Sequence, residues 1–104
     1  MPIARIWRTA VVPDRIRDYE RFAAEISLPM FRAQPGFAGA IMMREGGDCV
    51  VLTLWKDEAS ASALARSDGY LETVRRISAQ GFLLGEQVLR TYDTHVMMLP
   101  ATAA

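Results

Sequence analysis

The stretch PGFAGAIMMREGGDCVVLTLWKD, from Pro35 to Asp57, reads as two apolar strands folded back on each other through Gly46-Gly47-Asp48. Both arms are rich in Ile, Val, Leu, Met and aromatic residues, and the glycines between them supply the positive-φ positions that a tight hairpin demands. Pro35-Gly36 punctuates the entry, while Lys56-Asp57-Glu58 marks the exit, with Asp57 placed to cap a following helix. A lone hairpin is marginal in water, so the flanking segments must supply further strands and a cover.

Upstream, Ile3 to Val12 alternates imperfectly, with Ala4, Ile6, Ala10 and Val12 on one side and Ile3, Arg5, Trp7, Thr9 and Val11 on the other. This predicts a strand with two faces of different character. Pro13-Asp14 stops it and opens a helix, because Ile16, Tyr19, Phe22, Ala23, Ile26 and Met30 recur near helical spacing. Pro29 is expected to kink or end that helix near Leu28, since it removes an amide donor and clashes with the preceding turn. Downstream, Asp57 to Arg66 is an Ala-rich helix with a narrow stripe of Ala61, Leu64 and Ala65, interrupted at Ser67-Asp68-Gly69. A second helical piece, Tyr70 to Ala79, is expected to cover the sheet with Leu71, Val74, Ile77 and Ser78, leaving Glu72, Arg75 and Arg76 outside. Phe82-Leu83-Leu84-Gly85 then connects to a last strand over Gln87 to Met98, with Val88, Arg90, Tyr92 and Thr94 on one side, and residues 99–104 form a frayed tail.

Strand, helix, strand, strand, helix, strand is an α+β order, the split βαβ arrangement with two helical layers on one face of an antiparallel sheet. Trp7, Met43, Val51, Thr53 and Trp55 are assigned to the other face, too apolar to leave in water, and a second copy packed face to face is the simplest cover. A homodimer is therefore expected. With 104 residues the chain makes one domain, spanning residues 1–104. Twelve basic and twelve acidic residues cancel and are scattered, which argues against a nucleic-acid partner. No apolar run approaches the ~20 residues of a membrane span, and Arg5 and Arg8 interrupt the N-terminus, so no membrane partner is expected. A single Cys49 inside an apolar strand excludes an internal disulfide and fits a reducing cytoplasm. One histidine, no HExxH and no phosphate-binding Gly-rich loop leave no expected metal or nucleotide, and the cofactor expectation is none.

The runs ARIWR at Ala4 to Arg8, PGF at Pro35 to Phe37, LTLWKDEAS at Leu52 to Ser60 and SDGY at Ser67 to Tyr70 resemble the antibiotic biosynthesis monooxygenase domain family over nearly the whole chain. That resemblance implies a dimeric α/β barrel of ferredoxin-like subunits, and an oxidation of polyketide-derived phenols to quinones without metal or flavin. It implies Trp55 and Arg75 as catalytic residues, from a Trp ending the third strand and an Arg in the second helical region. Where the quinone-forming branch carries Asn, His and Tyr, this chain has Val51, Met43 and Ala61 or their neighbours. Where the haem-degrading branch carries Trp, His and Asn, it has Leu64, Val74 and Trp7, so haem is not expected.

A cofactor-free oxygenase must hold an electron-rich phenol in an apolar pocket and stabilise the charge left when its proton departs. Trp7 and Trp55 offer stacking surfaces, Arg75 or Arg5 a cation for phenolate or superoxide, and Trp7, Arg5, Met43, Val51 and Thr53 are the expected substrate-binding set. Against this, a strand Trp is more often core, and a helical Arg is more often solvated or ion-paired. His95, the one imidazole, is placed near the end of the last strand, where a surface role is the commoner one. Two functions follow: a cofactor-independent monooxygenase acting on a small aromatic or polyketide-like metabolite, or a non-catalytic or small-ligand-binding dimeric barrel. An open cavity reached by Arg75 favours the first, and side chains packed solid favour the second.

Overall fold

In the computed structural model, which describes residues 1–100, the hairpin forms as the sequence predicts. Strand β2 (Phe37–Glu45) and strand β3 (Asp48–Trp55) pair antiparallel from Glu45↔Asp48 to Phe37↔Trp55. Gly46 turns at φ +57, which only glycine adopts freely. Gly47 has a different constraint: a Cβ there would stand 2.8 Å from the Val11 carbonyl oxygen, and the Val11 amide donates to the Gly47 carbonyl at 2.9 Å. The turn is thereby fastened to the end of the first strand, β1 (Ile3–Val11).

β1 lies between β3 and the last strand, β4 (Leu83–Asp93), antiparallel to both, giving the order β2-β3-β1-β4. Between β1 and β2 run a 3-10 turn (Pro13–Arg15), helix α1 (Ile16–Phe22), a π-helical turn (Ala23–Ser27) and helix α2 (Leu28–Arg32). Between β3 and β4 lie α3 (Glu58–Leu64) and α4 (Asp68–Ala79). Asp57 caps α3 by accepting the Ser60 amide at 2.8 Å, as its position predicts, and Ser67 caps α4 through the Tyr70 amide at 3.3 Å. The fold is α+β and ferredoxin-like. Two clusters join helices to sheet: Ile3, Val51 and Trp55 pack with Phe31 and Leu64, and Val11 and Cys49 pack with Tyr19, Phe22 and Phe82.

Four details differ from the sequence reading. Trp7, Val51, Thr53 and Trp55 face the helices, because β1 carries Ile3, Arg5, Trp7, Thr9 and Val11 opposite Trp55, Thr53, Val51 and Cys49 in the covered register. Met43, opposite Val50, does lie on the bare face, with Ile41, Val88 and Tyr92 exposed beside it by register. Pro29 does not end its helix, which runs on to Arg32; the wider turn before it absorbs the irregularity, with the Leu28 amide reaching back to the Ala23 carbonyl. β4 begins at Leu83 rather than Gln87, because Gly85 at φ +66 absorbs a register shift that lets the apolar connection join the sheet, and it ends at Asp93, so His95 lies beyond it. α4 starts at Asp68 and turns Tyr70, Thr73 and Ile77 inward, while Leu71, Val74 and Ser78 are exposed. The expected frayed tail falls largely outside the described residues, which end at 100.

Candidate functional site

β1 and β3 form the floor, and the helices the roof, of a half-open cavity of about 100 Å³. Arg5 and Trp7 from β1 and Val51 from β3 rise into it; Tyr19, Ser27, Met30 and Phe31 descend from the first helical layer; Tyr70, Thr73 and Ile77 close it from α4. Val74 and Gln87, both exposed, mark the rim between α4 and β4. The lining is mainly apolar, which makes its one charge the decisive feature.

Arg5 is only 5% exposed, yet no carboxylate of the described residues lies within ion-pair distance of it. Its Nη2 donates to the Tyr70 hydroxyl at 2.6 Å, and the guanidinium carbon stands 5.0 Å from the centre of the same ring. Because the Tyr70 oxygen accepts from Arg5, its own proton remains available to a further acceptor. Burial pushes the Tyr19 phenol well above its ordinary range, with Cys49 a lesser cause, so Tyr19 lines the cavity as a neutral hydroxyl at any physiological pH. Thr73 turns its hydroxyl back to the Gly69 carbonyl at 2.9 Å, while Arg5 and Tyr70 form a hydrogen-bonded polar pair within the lining.

Of the residues picked out in the sequence, the structure brings Arg5, Trp7 and Val51 into this cavity and places the others elsewhere. Trp55 is fully buried beside it, donating Nε1–H to the Thr53 hydroxyl at 2.9 Å and packing edge-on against Phe37 and Phe31 at 5.8 and 6.5 Å. It meets the cavity lining from behind, against Phe31. Thr53, also buried, donates to the Arg5 carbonyl at 3.5 Å and so braces the strand under the guanidinium. Met43 sits on the opposite face of the sheet. The Arg75 side chain is 76% exposed and ion-paired with Glu72 on the outer surface of α4, turned away from the cavity. The sequence reading missed Thr73 and Ser27, while Tyr70, with Tyr19 and Tyr92, is a candidate hydrogen-bond donor in the sequence that fits an amphipathic core position equally well. A signal was present: Ser67 as N-cap starts the helix at Asp68, and positions 70, 73 and 77 then share a face.

The fold and cavity define a class, a ferredoxin-like α+β domain with a space of about 100 Å³ between sheet and helices. No protein-family model matches the chain, and no curated protein aligns with it significantly. Solved structures do. A monooxygenase from the gene ActVA-Orf6 of Streptomyces coelicolor, in complex with nanaomycin D, superposes with a TM-score of 0.74 at 18% identity, covering 95% of this chain and 92% of that one. SnoaB, a cofactor-independent oxygenase from Streptomyces nogalater, gives 0.69 at 18% identity over 93% and 96% of the two chains. A Nitrosomonas europaea protein of unknown function gives 0.77 at 20% identity over 97% and 96%. The chain has the fold of the antibiotic biosynthesis monooxygenases, as the resemblance of its sequence implies.

Proposed function

We propose that the protein is a cofactor-independent monooxygenase that takes a small aromatic metabolite into the cavity under α4 and works as a homodimer. The observation that carries this reading is a buried guanidinium, unpaired by any carboxylate of the described residues, beside Trp7 in an otherwise apolar space. Oxidation of a phenol to a quinone consumes one O2 and releases one water, so the substrate supplies every electron. The protein's contribution is to favour the phenolate. Arg5 does this through charge, Tyr70 through its remaining O–H, and Trp7 through a ring face along which a flat substrate lies. In this scheme Trp55 is a core residue behind Phe31 that does not meet the substrate, and Arg5 takes the catalytic place that the sequence resemblance gives to Arg75.

The homodimer rests on the bare sheet face, where Ile41, Met43, Val88 and Tyr92 are all exposed and share a side. Packing two such faces together buries them and leaves each cavity on the outside, between sheet and helices. No helix among the described residues is long and apolar enough to cross a membrane. The lone buried cysteine fits a cytoplasmic setting.

A second reading, a barrel that binds a ligand without turning it over, is favoured by the absence of histidine from the cavity lining and by the outward position of Arg75. Oxygen uptake separates the two. One-ring hydroquinones and larger anthrones are offered in chelator-treated buffer to the wild type, Arg5→Met and Arg75→Ala. Uptake by the wild type that Arg5→Met abolishes supports the monooxygenase, and binding with no uptake from any phenol leaves the ligand-binding protein. Light scattering at micromolar concentration reads the assembly, and a well-folded monomer there refutes the dimer.

A further inference from the structure

Arg5 brings a full positive charge into an interior site, and burying an ion without a counter-ion is costly. The local compensation is limited: one hydrogen bond to the Tyr70 oxygen and the face of its ring, for a group with five N–H donors. Every other arginine for which the structure shows an ion pair is at the surface: Arg8 with Asp48, Arg15 with Asp18, Arg44 with Glu20 and Arg75 with Glu72. Glu58 and Asp93 share with Arg5 a shallow cleft on its other side, lined also by Leu89 and Thr91, but neither comes within ion-pair distance. The sheet thus holds a buried fork of donors at the floor of a cavity and supplies no anion to meet it.

The cavity's size sets the second half of the inference. An apolar cavity of about 150 Å³ accepts benzene, and this one measures about 100 Å³ with an open side. It holds most of a single ring, with any further substituent projecting past Val74 and Gln87, but not a fused three-ring system.

We propose that the cavity binds a one-ring aromatic oxyanion, its carboxylate or phenolate oxygen received by Arg5 and Tyr70 and its ring held by Trp7, Met30 and Phe31. Arg5 meets the oxygen with charge-assisted N–H bonds, and Tyr70, already accepting from Arg5, donates its proton to the same oxygen. The inference deepens the reading of this cavity as the substrate site, but it concerns binding alone and does not require turnover.

The test is therefore made without oxygen chemistry. Benzoate, pentafluorophenol (ionised at neutral pH) and the neutral isostere benzyl alcohol are titrated into the intact protein, with binding followed by calorimetry and by the combined fluorescence of Trp7 and Trp55. Both anions are expected to bind saturably at one site per chain, at least tenfold tighter than benzyl alcohol; a benzoate-only or phenolate-only result identifies which oxyanion the site takes. Arg5→Met should abolish the preference for anions while benzyl alcohol still binds. Tyr70→Phe, which keeps the ring under the guanidinium, should weaken the anions several-fold and leave the neutral ligand unchanged. Equal affinity for benzoate and benzyl alcohol, or anion binding that survives Arg5→Met, overturns the proposal. So does failure of all three ligands to bind. Should Arg5→Met not fold, the Tyr70→Phe ratio of anion to neutral affinity decides alone. Saturable anion binding without any oxygen uptake upholds this inference and rejects only the catalytic reading.

Discussion

Replacing Trp55 by Phe should cost stability and spare ligand affinity, the reverse of what its place in the sequence predicts. The ring is fully buried and packs edge-on between Phe37 and Phe31. Truncation to Ala removes the whole side chain from a site with no solvent to refill it, at a cost of about 3–5 kcal/mol. For a domain of 104 residues the total stability is roughly 5–15 kcal/mol, so that variant sits near the edge of folding. Phe keeps much of the apolar bulk but shortens the ring, loosens one or both edge-on contacts, each worth about 0.5–1.5 kcal/mol, and deprives the Thr53 hydroxyl of its donor. Together these give about 1–2 kcal/mol for Trp55→Phe, or a melting point lower by roughly 4–15 °C. The assay is equilibrium urea unfolding followed by circular dichroism, beside a benzoate titration of the same variant. A variant with unchanged stability but lost affinity would refute the reasoning, because it would put the indole in contact with the ligand.

The remaining predictions concern the cap and the thiol. Hydrogen bonds from Ser60 hold the Asp57 carboxyl below its ordinary value of 3.8, so its stabilising contribution is complete at neutral pH and is lost as the pH falls through that lowered value. Asp57→Asn should keep the helix start but flatten the acid limb of the stability–pH curve, which thermal melts across the acid range would show. Burial raises the Cys49 thiol, and the side chain is fully enclosed, so a thiol reagent should leave the native protein unlabelled and react with one thiol per chain only in denaturant. Rapid labelling of the native state would show that the β2–β3 end of the core opens readily.

Much of the fold was legible because its signals are local. The hairpin needed only two apolar runs and a Gly-Gly turn, the Asp57 cap needed only its offset from the helix, and the order of elements then allowed few topologies. The α4 face was misread because Leu71 and Val74 outrank Thr73 in hydropathy, while the helix start that decides the phase depends on which residue of Ser67-Asp68-Gly69 becomes the cap.

The sequence by itself determined an α+β chain with β2 and β3 paired through Gly46, and Arg5, Trp7, Val51 and Trp55 as residues to watch. Which side of the sheet those residues occupy was decided only in three dimensions. Alternation places Trp7 and Ile6 on opposite faces but treats the two faces alike; the path of the chain from β1 through α1 and α2 to β2, and from β3 through α3 and α4 to β4, selects the one that is covered. Tertiary structure likewise set Arg5 against Tyr70, 65 positions away, and turned Arg75 to solvent. Charge and side-chain type are properties of single residues, but burial of a charge without a counter-ion is a property of everything packed around it, and no spacing in the chain encodes it.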